Sequence, residues 1–243
     1  MSTPPKHSWS VFIFAYNEEK TVHEVITELV EVLRDIANDF EVTVIDDGST
    51  DGTAQAAQQA VAQFPEVRLV RHPVNLGIGK TLADGYRLST KEIVCGVPAD
   101  GEFAIQCLRD GARALEQADL VCFYREGHRG PWVRRFLTRS HRVLNRLFLG
   151  LKVRDVNWIK IYKRWILDAV PVRSRSPLIE TELLAQALRR GARIVELPSP
   201  FSLRRQRGGA GLTGTLINGV KMTTELLLFC VRFRWGDKHE PAR

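Results

Sequence analysis

Short apolar runs that alternate with stretches of helical periodicity constrain this chain more than any other feature. Ser10–Phe14 (SVFIF) reads as a buried strand. After it, Val22, Val25, Ile26, Leu29, Val32, Leu33 and Ile36 recur at helical spacing within Glu18–Ile36. Val42–Ile45 is a second strand, ended by the turn-rich DDGSTDG of residues 46–52. Helix Thr53–Gln63, strand Val67–Arg71, helix Gly79–Ser89, strand Ile93–Val97, helix Phe103–Gln117 and strand Leu120–Tyr124 continue the alternation. Strands separated by helices this long imply βαβ units. The expected fold is therefore α/β, with a mostly parallel sheet covered on both faces by helices.

After Tyr124 the rhythm changes. A polar loop, 125–131, leads to a long basic helix, Trp132–Leu149. A strand within Val156–Tyr162, a helix over Glu180–Arg190 and a strand at Ile194–Leu197 follow. Arg204–Gly214 (RRQRGGAGLTG) reads as a basic, glycine-rich loop. Leu216–Trp235 is the last periodic segment, with Leu216, Val220, Leu227 and Val231 near helical spacing and lysines and arginines among them. It fits a helix lying on an anionic leaflet equally with one packed on the domain. No repeat or linker interrupts the chain. One domain over 1–210 is expected, with 1–124 and 125–210 as its halves and a C-terminal amphipathic helix and tail at 211–243.

Charge separates those halves. The net charge of +7 conceals 10 basic and 19 acidic residues over 1–124, against 25 basic and 9 acidic over 125–243. Residues 125–175 alone hold 14 basic and 3 acidic side chains, so the second half is suited to an anionic partner. Nucleic acid is disfavoured, because the aromatics form no stacking stripe of a known motif. The four cysteines (Cys95, Cys107, Cys122, Cys230) are far apart and lack CxxC spacing, which points to reduced core thiols of a cytosolic protein. The six histidines show no metal-binding spacing. Met1–Ser8 is short and polar, so no leader peptide is expected. Apolar runs stop at six residues, Leu226–Val231 among them, far below the ~20 that span a bilayer.

Open parallel α/β sheets bind ligands at the carboxyl ends of their strands. Three candidate segments fall there: Phe14-Ala15-Tyr16-Asn17-Glu18, Ile45-Asp46-Asp47-Gly48-Ser49 and Pro98-Ala99-Asp100-Gly101-Glu102. Carboxylates at three neighbouring strand ends repel one another unless donors or a cation lie between them. A nucleotide base, a ribose and a divalent metal together meet that demand. Taken alone, the DDGSTDG turn fits an Asp or Ser cap on the next helix better than a nucleotide site, and beside FAYNE and PADGE that order reverses. Gly79-Lys80-Thr81 suggests a phosphate-binding P-loop, but that pattern needs glycine where Val74 stands. Lys80 is either a diphosphate ligand at a helix start or a solvated lysine.

These segments make the chain similar to the family-2 glycosyltransferases of the GT-A fold, Rossmann-like in layout, and in particular to their dolichyl/polyprenyl-phosphate sugar transferase branch. FAYNEE (14–19), VIDDGSTDGT (44–53), NLGIGK (75–80) and PADGE (98–102) match family motifs in order. Residues 134–164 and 180–198 resemble the family's acceptor-side segments. The resemblance implies that Phe14, Ala15, Tyr16, Glu18, Ile45, Asp46, Asp47, Ala99, Asp100 and Arg205 bind the nucleotide-sugar. It implies that Asp100 and Glu102 hold Mg²⁺ or Mn²⁺, and that Asp100, Arg134, Arg135 and Glu182 serve catalysis, with Glu182 alternatively a cap or ion-pair partner. Four departures stand out. Phe14 replaces a proline, Pro98 the first Asp of the D-x-D, residues 155–160 lack a glycine, and no Ser-Lys follows the R-x-x-G at Arg205.

The implied function is inverting transfer of a sugar from a UDP- or GDP-linked donor to polyprenyl phosphate, by a cytoplasmic protein peripheral to the inner membrane face. A phosphate acceptor is already dianionic near neutral pH, with its second pKa at about 6. It needs positive charge rather than a strong base, and Arg134, Arg135 and Arg139 are the leading candidates. The basic helix 132–149 is alternatively a solvated face. A soluble acceptor keeps the same donor site, and a nucleotide-sugar-binding protein without turnover is the reading from another class.

Overall fold

The computed structural model describes residues 6–126, 132–170, 178–200, 224–226 and 228–230; within the helix over 132–149, the side chains of 132–138, 140 and 141 lie outside the description. Seven strands form one sheet: β1 (His7–Ala15), β2 (Ala37–Asp46), β3 (Val67–Arg71), β4 (Ile93–Pro98), β5 (Leu120–Glu126), β6 (Lys160–Lys163) and β7 (Ile194–Pro200), in the order β3-β2-β1-β4-β6-β5-β7. All neighbours run parallel except β6, which is antiparallel to both β4 and β5. The mostly parallel α/β sheet is as expected, and residues of both halves of the chain build it.

Strand alternation assigns the two cores. Trp9, Val11, Ile13 and Ala15 of β1 pack toward α1 (Val22–Ile36), α2 (Thr53–Gln63) and α4 (Leu108–Ala114). Phe12, between them in sequence, packs on the opposite face with Leu82 and Tyr86 of α3 (Ile78–Leu88) and with Leu183 and Leu184 of α7 (Ile179–Arg189). Helix α1 buries Val22, Val25, Ile26, Leu29, Val32 and Leu33 of its apolar stripe. Helices α2 and α5 (Trp132–Leu149) and strand β3 have the expected bounds.

Three local differences have physical causes. Strand β2 starts at Ala37, directly after α1, because that residue turns extended and pairs with His7. The segment expected as helix 103–117 starts with a 3₁₀ turn, Ile105–Cys107, and its end tightens into i→i+3 bonds, Glu116 N–H donating to the Arg113 carbonyl. The strand expected within 156–162 is delayed to Lys160, since Asp155 accepts the Asn157 N–H at 3.2 Å and holds a turn there. The short α6 (Arg164–Ala169) follows β6 directly.

The glycine-rich segment 204–214 and most of 216–235 lie outside the described residues. Of the latter, 224–226 and 228–230 are helical, and Leu226 and Cys230 are buried against the α7 side of the sheet. Among the described residues no helix is long and apolar enough to cross a membrane. All four cysteines are free thiols. Burial pushes the Cys122 thiol up to about 12 and Cys95 further, so neither offers a thiolate.

Candidate active site

The strand register brings the three candidate segments together. Phe14 of β1 pairs with Ile45 of β2 on one side and with Pro98 of β4 on the other. Past this line each chain turns away from the sheet, and the gap between the turns is a cleft of about 320 Å³. Phe14, Ala15, Tyr16, Glu18, Asp47, Ala99 and Asp100 line it, together with Pro98 and, from the loop before α3, Asn75, Gly77, Ile78 and Thr81. The apolar replacements Phe14 and Pro98 face each other across one ladder position at its floor.

The first two turns are tied to each other. Asn17 adopts a left-handed conformation (φ 55°), which asparagine tolerates better than most residues. From there its N–H donates to Ser49 Oγ at 2.9 Å and its Oδ1 accepts the Thr50 N–H at 2.9 Å. Glu18 N–H donates to Thr53 Oγ1 at 2.7 Å, and Glu19 accepts the Gly52 N–H at 3.0 Å. Gly52 is the N-cap of α2 and has no side chain to cap with, but Asp51 just before it accepts the Thr53 N–H at 3.0 Å and holds the turn at the helix start.

The protein meets the repulsion among strand-end carboxylates partly with its own donors. Asp46 is fully buried, accepts the Ser49 N–H at 2.9 Å and lies 3.1 Å from the Arg71 guanidinium. Asp47 accepts the Leu76 and Gly77 N–H groups, one per carboxylate oxygen, each at 2.9 Å, and His72 Nδ1 lies 2.7 Å away. Asp100 accepts the N–H of Glu102 at 2.8 Å, across a turn in which Gly101 is left-handed (φ 71°). Glu18 Oε2 accepts from the Thr21 hydroxyl at 3.3 Å. Opposite these groups the positive end of α3 begins at Ile78 on the cleft wall, a natural place for an anion.

Several sequence candidates sit elsewhere. Ile45 is fully buried among Phe12, Leu82 and Tyr86, on the face that alternation assigns to α3, and does not line the cleft. Asp46 acts through its turn rather than on the cleft wall. Lys80 pairs with Asp84 one helical turn on, instead of reaching into the cleft. Glu182 is buried in the first turn of α7 and does not line the cleft. Arg134 and Arg135 lie on α5, with side chains outside the described residues, as is Arg205 entirely. Arg139 is exposed on the same helix.

Three further residues shape the site through contacts that no local sequence pattern marks. His72 follows β3 and reaches Asp47, a residue 25 positions earlier, so no local pattern announces it. Arg125, at the end of β5, pairs with Asp155 at 2.8 Å and lies 4.7 Å above the Trp158 ring. That contact locks the segment around 155–158 to the sheet. Arg154 stacks on Tyr124 at 4.5 Å beside it. The excess of arginine in this region was the available signal.

Gly48 packs its turn directly against the 74–75 backbone. Its φ is +68°, and a Cβ there would lie 2.3 Å from the Val74 carbonyl carbon and 2.6 Å from the Asn75 nitrogen. Gly48→Ala should therefore destabilise the chain by more than ~1 kcal/mol in a denaturant melt. It should also push the 74–77 loop off Asp47. A wild-type melting curve for this variant contradicts the close approach.

A mostly parallel α/β sheet with a cleft at the carboxyl ends of β2, β1 and β4, walled by carboxylates and one helix start, is the architecture of the GT-A fold. The chain belongs to glycosyl transferase family 2, whose model matches residues 10–174, and is a glycosyltransferase. It is 26% identical over 197 residues to undecaprenyl-phosphate mannosyltransferase of Micrococcus luteus, covering 76% of this chain and 81% of that one. It is 25% identical over 227 residues to polyprenol monophosphomannose synthase of Mycolicibacterium smegmatis, covering 88% and 84%. Its fold matches glucosyl-3-phosphoglycerate synthase from Mycobacterium tuberculosis, crystallised with Mn²⁺, UDP-glucose and phosphoglyceric acid. That match has a TM-score of 0.72 at 22% identity, over 92% of this chain and 80% of the other.

Proposed function

We propose that the chain moves a sugar from a nucleotide-sugar to a polyprenyl phosphate, with inversion at the anomeric carbon, on an anionic membrane surface. The cleft carries this reading. Its acidic turns and apolar floor suit a nucleoside, and the start of α3 suits the diphosphate. The two relatives named for polyprenyl-linked products support the acceptor class.

The donor set also fits a divalent cation. Among the described residues no three His, Cys, Asp or Glu side chains gather into a ligand shell. Asp100 and Glu102 share one turn, and one or two carboxylates completed by substrate phosphates is how Mg²⁺ is commonly bound. Bound there, the ion would neutralise charge developing on the nucleoside-diphosphate leaving group. Asp100 would orient the diphosphate end of the donor, and Tyr16 and Glu18 its nucleoside end. Pro98 brings no carboxylate to the shell, which leaves more of the anchoring to Asp100. A phosphate acceptor needs no general base, so the arginines of the second half serve to place it.

The exposed face of α5 supports the membrane surface. Arg139, Val143 and Leu147 recur every four residues, with Arg142 and Arg146 beside them and Phe148 also exposed. Leu147 is 71% accessible, which is unusual for a leucine unless something apolar covers it. Flotation with anionic vesicles tests this. The wild type should float at moderate salt, and Leu147→Glu should weaken binding by about tenfold, the value of one buried leucine. Absence of wild-type flotation favours the second reading, a soluble anionic acceptor, which the phosphoglyceric acid bound to the structural neighbour supports. Transfer to polyprenyl phosphate, assayed with UDP- and GDP-sugars, tests the reaction itself.

A further inference from the structure

His72 is 7% exposed and lies between two carboxylates that are themselves almost buried. Nδ1 is 2.7 Å from Asp47 Oδ1 and Nε2 is 3.1 Å from Asp84 Oδ2. A neutral imidazole has one donor nitrogen and one acceptor nitrogen. It would set a lone pair against one of these acceptors unless that carboxyl were protonated. Asp84 is not the proton holder. Burial alone would raise its pKa, but the ion pair with Lys80, the Arg87 guanidinium and the His72 contact outweigh that and hold it below the usual carboxylate range. Nor is Asp47, whose two oxygens accept the Leu76 and Gly77 N–H groups. Charge therefore alternates from Asp47 through His72 to Asp84, whose outer side is met by both Lys80 and Arg87. Arg71, the other nearby cation, is turned to Asp46 and the Ser49 carbonyl.

We propose that His72 is a positioning residue of the cleft, a doubly protonated imidazolium that fixes Asp47 so that its carboxylate latches the Asn75–Ile78 wall. Asp47 has few remaining acceptor directions once it binds two amides. A third charge-assisted donor in a nearly dry site determines its rotamer. The far side of the imidazolium is anchored on α3, whose first turn forms the same wall, so loop and helix start are held as one unit. Its consequence for donor binding rests on the cleft being the nucleotide-sugar site, whereas the latch does not.

Nitrogen-15 NMR of the ligand-free wild-type chain tests the latch without any ligand. Both ring nitrogens of His72 should carry a proton at neutral pH, and one protonated nitrogen overturns the proposal. Two variants separate latching from filling of space. The Asn amide nitrogen stands near the place of Nδ1 and can still serve Asp47, whereas the Gln amide reaches toward Nε2 and Asp84 instead. In His72→Gln the Leu76 and Gly77 amides should exchange with solvent at least about tenfold faster, the scale of a lost hydrogen bond. His72→Asn should keep wild-type exchange. Equal exchange in the two variants overturns the latch.

Titration of the same proteins with UDP and GDP in the presence of Mn²⁺ addresses the cleft separately. A wild type that binds neither nucleotide removes the donor-site reading and leaves the ring and amide signals to judge His72. If the wild type binds, His72→Gln should weaken binding about tenfold, in keeping with the cost of loosened preorganisation, and His72→Asn much less. Equal affinities of both variants with the wild type remove the positioning role.

Discussion

Asp100→Ala should lower sugar transfer by about 10²–10³-fold, the scale of removing one preorganised group that acts on developing charge. The fold should survive. Asp100 sits past the end of β4 and accepts the Glu102 N–H there, and one such bond contributes about 1 kcal/mol. Thermal melting beside a transfer assay separates the two effects. The neighbouring departure sharpens the expectation. With proline at 98, no second carboxylate from that segment's first position shares the load, so Asp100 should be less replaceable than where two aspartates stand. Turnover within a few fold of wild type would remove Asp100 from the proposed cation and diphosphate site.

The second large effect is on stability. Lys160 of β6 has no accessible side-chain surface, and its ammonium lies 2.7 Å from Glu180 of α7. The same carboxylate accepts the hydroxyls of Tyr86, from α3, and Tyr162, at 2.9 Å. Burial and the Glu180 charge push both phenols well above the usual tyrosine range, so they remain donors at every working pH. Glu180→Ala removes the counter-charge of one buried cation, which keeps the Trp158 carbonyl at 2.8 Å, and the acceptor of two hydroxyls at once. It should cost about 3–5 kcal/mol, read as a fall in the denaturant midpoint. Replacing Lys160 and Glu180 together with Met and Leu should recover much of this, because no charge is then left uncompensated. If the single variant loses as little as the double, the pair is not the tie between α7 and the sheet.

What was legible in the sequence follows from the range of the interactions involved. Strands β1 and β4 are buried on two faces, so they appear as continuous apolar runs, and α1 displays its buried stripe at 3.6-residue spacing. The cleft was legible because one rule about strand ends places FAYNE, DDGS and PADGE side by side before any contact is known. Ile45 was misplaced because it abuts that cleft in sequence, yet alternation turns it to the α3 face. His72 and the Lys160–Glu180 pair were invisible since their partners are 25, 12 and 20 residues away and depend on register. Apolar patterning places the start of β6 at Val156 rather than Lys160, because Asp155 uses its carboxylate to bend the backbone, which that patterning does not record.

The antiparallel strand β6 also governs the order in which this protein can be born. It is inserted between β4 and β5, so the β4 edge at Ile93–Cys95 stays unpaired until residues 160–163 have left the ribosome. A nascent chain of the acidic half alone exposes that edge beside an apolar surface, a template for association with other chains. Its ladder closes across some 70 residues, from Ile93 to Lys163, which makes assembly slow for a sheet of this size. Residues 1–124 are thus complete in sequence well before they are complete as a sheet, which must wait until the second half of the chain has begun to fold.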